Sequence, residues 1–192
     1  AAKKTKKVFL WAVLLNEETR GGGARQRAAT AQKNAQLPPE QAVEAARQAA
    51  LRMLDRSAHS TKMVADKLAN LGFRSEVIAE ILGRFERVGL LDDQAYGQML
   101  VRTRFAERGL VGIALEQELQ RRGLDPKLAT QIDADDAYEK AQELAFRRGY
   151  KAGKSRDANL RSLYGFLARK GYSPGICARV ARQVVEKYES SI

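Results

Sequence analysis

The sequence predicts an all-α protein: three tandem three-helix modules in an extended or curved array, preceded by a basic N-terminal arm. Three observations lead there. Apolar residues recur at helical spacing almost without pause from Gln41 onward, and no strand alternation interrupts them. A helix-stop signal occurs three times, as Leu68 to Gly72-Phe73, Leu119 to Gly123-Leu124 and Leu167 to Gly171-Tyr172. In each, an apolar residue is followed four positions on by glycine and then by a large apolar residue. This is the pattern of a Schellman stop, in which glycine takes the left-handed conformation and the apolar pair closes over the turn. The glycines lie 51 and 48 residues apart, a period that signals repeated modules. The third observation is composition: Ala, Leu, Glu, Arg and Gln dominate the chain, and there are only four prolines.

The elements follow in order. Lys3, Lys4, Lys6 and Lys7 precede an apolar run, Val8 to Leu15. The run is too short to span a bilayer. Its basic start resembles a signal peptide, but Glu17 and Glu18 follow at once and no small-residue cleavage site is near. It reads as a short strand or helical turn that docks on another surface. Gly21-Gly22-Gly23 and the Ala/Gln-rich stretch to Gln36 read as a flexible linker, so residues 1–40 form the arm. Pro38-Pro39 starts the first helix of module one, residues 41–91. Val43, Ala46, Ala50 and Leu54 line that helix. His59-Ser60 breaks it, and Ser60 caps the next, which carries Val64, Leu68 and Leu71. Val77, Ile78, Ile81, Leu82 and Phe85 then form the strongest amphipathic stripe in the chain.

Module two, residues 92–135, opens at Asp92-Asp93, acids suited to a helix N-terminus. Tyr96, Met99, Leu100 and Thr103 share a face, Leu115 and Leu119 mark a second helix, and Asp125-Pro126 starts a third with Leu128 and Ile132. Module three, residues 136–192, opens the same way at Asp135-Asp136. Ala137, Ala141, Leu144 and Ala145 line its first helix, and Leu160, Leu163, Tyr164 and Leu167 its second. Ser173-Pro174 caps the third, which carries Ile176, Cys177, Val180, Val184 and Tyr188. Tyr96, Tyr164 and Tyr188 fall at packing positions.

The chain has 192 residues and a net charge of +11, which points to a polyanionic or acidic partner. Its single cysteine, Cys177, rules out an internal disulfide framework and fits a reducing compartment. The charge is uneven: +5 over residues 1–40, +2 over 41–91, −2 over 92–135 and +6 over 136–192. The densest run is Arg147, Arg148, Lys151, Lys154 and Arg156, with Tyr150 among them. Loop cations beside an aromatic suit single-stranded DNA, which offers phosphates to attract and bases to stack. A merely solvated loop is the more ordinary fate of such a run.

No catalytic constellation emerges. Gly149 to Gly153-Lys154-Ser155 resembles a phosphate-binding loop, but that loop needs glycine where Arg148 stands and a strand before it. Asp133, Asp135 and Asp136 suggest a metal site less than a helix cap. His59 is the only histidine, and Cys177 sits on an apolar helical face. The reading is a non-enzyme without cofactor or metal.

Several motifs in order carry a family resemblance. Gly89-Leu90-Leu91-Asp92-Asp93 with Tyr96, Val101-Arg102 with Arg104, Arg108-Gly109, Glu118-Leu119 and Arg122-Gly123 resemble the signature of the RecX family, and His59-Ser60 its first-module motif. The resemblance covers about residues 42–188. It implies a monomeric, cytoplasmic bacterial regulator of RecA recombinase, without membrane contact. Such a protein lies in the groove of the RecA–single-stranded-DNA filament and restrains filament growth, ATP hydrolysis and strand exchange in recombinational repair and the SOS response. It turns the basic run into an expected DNA or filament contact and adds Arg102, Arg104 and Arg108. One departure stands out. Gly109-Leu110-Val111-Gly112 replaces the family's Gly-Tyr-Gly-Pro turn, and Ile113, Ala114 and Glu116 stand at expected basic positions. Two rivals remain: a helix-turn-helix reader of duplex DNA, and a scaffold that contacts protein alone. The first needs a basic recognition helix, whereas Arg74, Arg84 and Arg87 are balanced by Glu76, Glu80 and Glu86.

Overall fold

The computed structural model describes residues 23–190, which form helices and no strand. The apolar run at Val8 to Leu15 lies outside the described residues. The chain divides into two compact units, with the break between Leu91 and Asp92.

The first unit contains helix α1 (23–35), α2 (Pro39–Leu54), α3 (Thr61–Asn70) and α4 (Ser75–Arg87). Its core is Ala42, Ala46 and Ala50 from α2, Val64 and Leu68 from α3, and Val77, Ile81 and Phe85 from α4. Alanine on α2 lets the larger side chains of α4 approach its backbone, so three short helices share one core that none could bury alone. The caps follow the sequence reading. Pro39 occupies the first turn of α2, and the Ser60 hydroxyl, fully buried, accepts from the Met63 amide at 3.2 Å.

The reading of Gly21 to Gln36 as a flexible linker is corrected: residues 23–35 are helical. Ala, Gln and Arg, good helix formers, outweigh the glycines that precede them. α1 is held at one seat. Ala31 lies so close to Gly72 that a Cβ there would meet the Ala31 carbonyl oxygen. The Asn34 amide donates to the Leu71 carbonyl at 2.7 Å, and Arg74 donates to the Ala35 carbonyl at 3.1 Å.

The three glycine turns are Schellman stops. Gly72, Gly123 and Gly171 have φ of +84°, +73° and +95°. Phe73, Leu124 and Tyr172 return their amides to Leu68, Leu119 and Leu167, at 3.2, 3.0 and 3.4 Å.

The second unit contains α5 (Asp93–Arg108), α6 (Gly112–Arg121), α7 (Ala134–Arg148), α8 (Arg156–Ala168) and α9 (Pro174–Glu189). Asp92 caps α5, whose buried face is Tyr96, Gly97, Leu100 and Val101; Met99, expected on that face, is exposed. The expected third helix of module two is only a 3-10 turn, Pro126–Gln131. Ile132 is already extended and Asp133 caps the next helix, so no length remains for an α-helix. The turn is seated by Leu128, which packs where a Cβ on Gly97 would stand.

Asp133, not Asp135-Asp136, caps α7; its carboxylate accepts from the Asp135 amide at 2.8 Å. Module three buries Ala141, Leu144, Leu163, Leu167, Cys177, Val180 and Val184. Val111 of module two is buried in the same core and donates its amide to the Lys170 carbonyl at 2.9 Å. Modules two and three therefore fold as one unit. The residue before the glycine, Leu71 or Lys170, accepts from the preceding element in both units. α1 thus holds on module one the seat that module two holds on module three, as a capping element does in repeat proteins.

Candidate nucleic-acid interface

The basic run is built around a residue that sequence reasoning passed over. Asn159 lies on the face of α8 that also carries Leu163 and Leu167, and only 2% of it is exposed. Its Oδ1 accepts from the Lys151 amide at 3.0 Å. Its Nδ2 shares its hydrogens among the carbonyls of Lys151, Lys154 and Ser155, at 3.1, 3.3 and 3.2 Å. A buried amide so satisfied fixes the backbone of the loop, and with it the positions of Lys151 and Lys154. The signal was available in the four-residue spacing of Asn159, Leu163 and Leu167.

The expected contact residues separate into two groups. Lys151 and Lys154 are exposed and, among the described residues, carry no carboxylate partner. Arg147 and Arg148 end α7 and are exposed; Arg147 reaches Glu143 only at 3.5 Å. Arg102 and Arg108 are exposed on α5. Arg156 is engaged, its Nε donating to Glu189 at 3.1 Å. Tyr150 is half-buried and stacked on Tyr188, with ring centroids 6.0 Å apart. Tyr188 itself is exposed, as is Tyr164, contrary to the packing role their spacing suggested.

Arg104 is corrected from surface contact to internal support. Its Nε donates to Glu118 at 3.1 Å, and Arg122 donates to the same carboxylate at 3.1 Å and to the Tyr96 hydroxyl at 2.8 Å. Burial alone would raise the Glu118 carboxyl. The bonds from Arg104 and Arg122 and the charges of Arg122 and Arg121 outweigh it and hold the group below its ordinary range. This cluster ties α5 to α6, so Glu118 and Arg122 of the sequence signature are structural.

Tertiary structure adds a cation that the sequence run did not contain. Lys170, at the third glycine turn, donates to the Arg108 carbonyl and lies 5.2 Å over the Phe166 ring. Arg148 lies over the same ring at 4.5 Å. Desolvation first, then the charges of Arg147, Arg108 and Lys140, push the Lys170 ammonium below its ordinary pKa. Among the described residues no carboxylate pairs with Lys170 or Arg108. Arg148 and Lys170 thus share one aromatic ring, and Arg108 and Arg147 add positive charge beside Lys170, so the local field favours an anion.

Fold and surface together define the class: a helical protein of tandem three-helix modules, with a basic face assembled across two of them. The pattern of the RecX first three-helix domain matches residues 46–85, and that of the RecX second three-helix domain matches residues 92–131. The chain is 39% identical over 155 residues to regulatory protein RecX of Streptomyces lividans, covering 78% of this chain and 82% of that one. It is 32% identical over 159 residues to regulatory protein RecX of Amycolatopsis mediterranei, covering 80% and 91%. The crystal structure of RecX from Lactobacillus salivarius shares the fold, with a TM-score of 0.63 and 23% identity over 74% of this chain and 96% of that one. The chain belongs to the RecX family of regulatory proteins.

Proposed function

We propose that the chain binds the RecA–single-stranded-DNA filament and restrains RecA ATP hydrolysis, filament growth and strand exchange in recombinational repair and the SOS response. It acts in the cytoplasm as a monomer, by binding and without catalysis. The observation that carries the DNA part of this reading is that Arg148 and Lys170 lie over Phe166 while Arg108 and Arg147 add positive charge beside Lys170. Lys151 and Lys154 extend the basic face, and Arg102 lies exposed on α5. Cations beside a ring, of which among the described residues only Arg147 has a carboxylate partner (Glu143, at 3.5 Å), suit a phosphate backbone. Duplex reading through α4 is less well supported, because Arg84 is paired with Glu80 and Arg87 bonds back to the Gly83 carbonyl.

The test reverses Arg147, Arg148 and Lys151 to Glu and measures binding to RecA–DNA filaments at several salt concentrations. Each lost phosphate contact should flatten the log–log salt slope by about 0.7. Lys127→Glu, an exposed change in the net-acidic second module, should leave the slope near wild type. Circular dichroism should show the triple variant folded, since all three side chains are exposed. Wild-type affinity and slope in the triple variant would remove this face from the reading.

A further inference from the structure

On module three, α8 and α9 leave a trough lined by Leu160, Arg161 and Tyr164 on one side and Ala178, Ala181 and Arg182 on the other. Its volume is about 270 Å³. The cause is local: Ala178 and Ala181 on α9 are too small to fill the space opposite Leu160 and Tyr164. Tyr164 remains 38% exposed on its wall. Arg161 and Arg182 are both exposed, and among the described residues neither guanidinium forms an ion pair. An apolar trough between two uncommitted arginines is not explained by the core, nor by the basic face around Phe166.

We propose that this trough docks an acidic peptide segment of a protein partner, with an apolar side chain entering between Tyr164 and Ala178 and flanking carboxylates on Arg161 and Arg182. The volume suits one large apolar side chain. Charge complementarity selects the flanks, because a guanidinium presents a planar fork that matches a carboxylate. A nucleobase is the less favourable occupant. Its edge carries several donors and acceptors, and the Leu, Ala and Tyr ring surfaces inside the trough cannot pair them. The inference is independent of whether the face around Phe166 takes DNA.

The probe is a fluorescein-labelled peptide in which a Leu-Phe pair is flanked by glutamates, followed by fluorescence polarisation with the full chain. Two control peptides replace the glutamates by glutamine or the Leu-Phe pair by Ser-Gly. The expected result is binding of the acidic apolar peptide alone. Ala178→Trp, which fills the trough, and Arg161→Glu with Arg182→Glu should each weaken it by about tenfold or more, the scale of 1.4 kcal/mol. Ala178→Ser should bind as wild type, which separates filling from mere disturbance of that position. Oligothymidylate should neither displace the peptide nor lose affinity in Ala178→Trp. If Ala178→Trp fails to fold, the exposed arginine pair decides alone. Absence of peptide binding, or binding indifferent to the arginine reversals, overturns the proposal. So does oligothymidylate competing for the trough, which would assign it to a base.

Discussion

Single positions show how closely the turns are built. Gly72 and Gly89 both have positive φ, +84° and +71°, but their surroundings differ. A Cβ on Gly89 meets nothing, whereas one on Gly72 meets the backbone of Ala31. Gly89→Ala should therefore cost only the left-handed backbone penalty, about 1 kcal/mol. Gly72→Ala should cost more in urea unfolding, and hydrogen exchange should rise in residues 23–35 as α1 loses its seat. Tyr172 shows the opposite case. It is buried in the third turn, and among the described residues its hydroxyl finds no partner. Desolvation, then the charges of Glu143 and Cys177, drive its ionisation well above the ordinary range, so it stays a neutral and unsatisfied phenol. Tyr172→Phe removes a polar group that makes no bond and should be neutral or stabilising by up to about 1 kcal/mol in thermal melts. A marked loss would mean that the hydroxyl has a partner after all.

At the scale of elements, the ends of α5, α7 and α8 meet to build a basic face at some expense to stability. The Lys170 ammonium is disfavoured where it stands, by burial and then by Arg147, Arg108 and Lys140. A lysine with a lowered folded pKa holds its proton more weakly than in the unfolded chain. Its charge thus opposes folding at neutral pH, and stability recovers as pH rises through the lowered value. Lys170→Gln removes that charge and should raise the melting temperature by about 1–3 °C at neutral pH. It should also flatten the rise in stability toward alkaline pH and weaken binding to single-stranded DNA. A stability gain with unchanged DNA affinity would make the cluster a packing accident. α1 is the other element whose role comes from its neighbour. Most of its residues are exposed, and its hold on module one rests on Ala31, Asn34 and Ala35.

For the whole molecule, the two units divide the work unequally. The second carries its own core and the whole cluster around Phe166, and residues 92–192 have a net charge of +4. Expressed alone, residues 92–192 should fold cooperatively and keep most of the salt dependence of single-stranded DNA binding. Should that fragment fold yet lose the slope, the attraction would have to come from residues 1–91. No described helix is long and apolar enough to cross a membrane.

What the sequence by itself determined was the local grammar. The stops at Gly72, Gly123 and Gly171, and the caps at Ser60, Asp92, Asp125 and Ser173, stand where it placed them. These depend on backbone groups within a few residues, which a short window contains whole. The buried faces of α2, α4 and α9 were readable in part, since helical spacing marks a face. Ala46, Ala50, Val77, Ile81, Phe85, Cys177, Val180 and Val184 are buried, whereas Val43, Leu54, Ile78, Leu82 and Ile176 are only partly so, and Ala42, Ala181 and Val185 were missed. Which cations are free was not readable. Arg104 and Arg156 look like Arg108 and Arg148 in the chain, but Glu118 lies 14 residues from Arg104 and Glu189 lies 33 from Arg156. Lys170 stood outside the basic run until the fold carried it to Arg108, 62 residues away. Tertiary structure alone decided these matters, because a side chain's charge becomes available or spent according to what packs against it, and packing brings together residues that no local pattern relates.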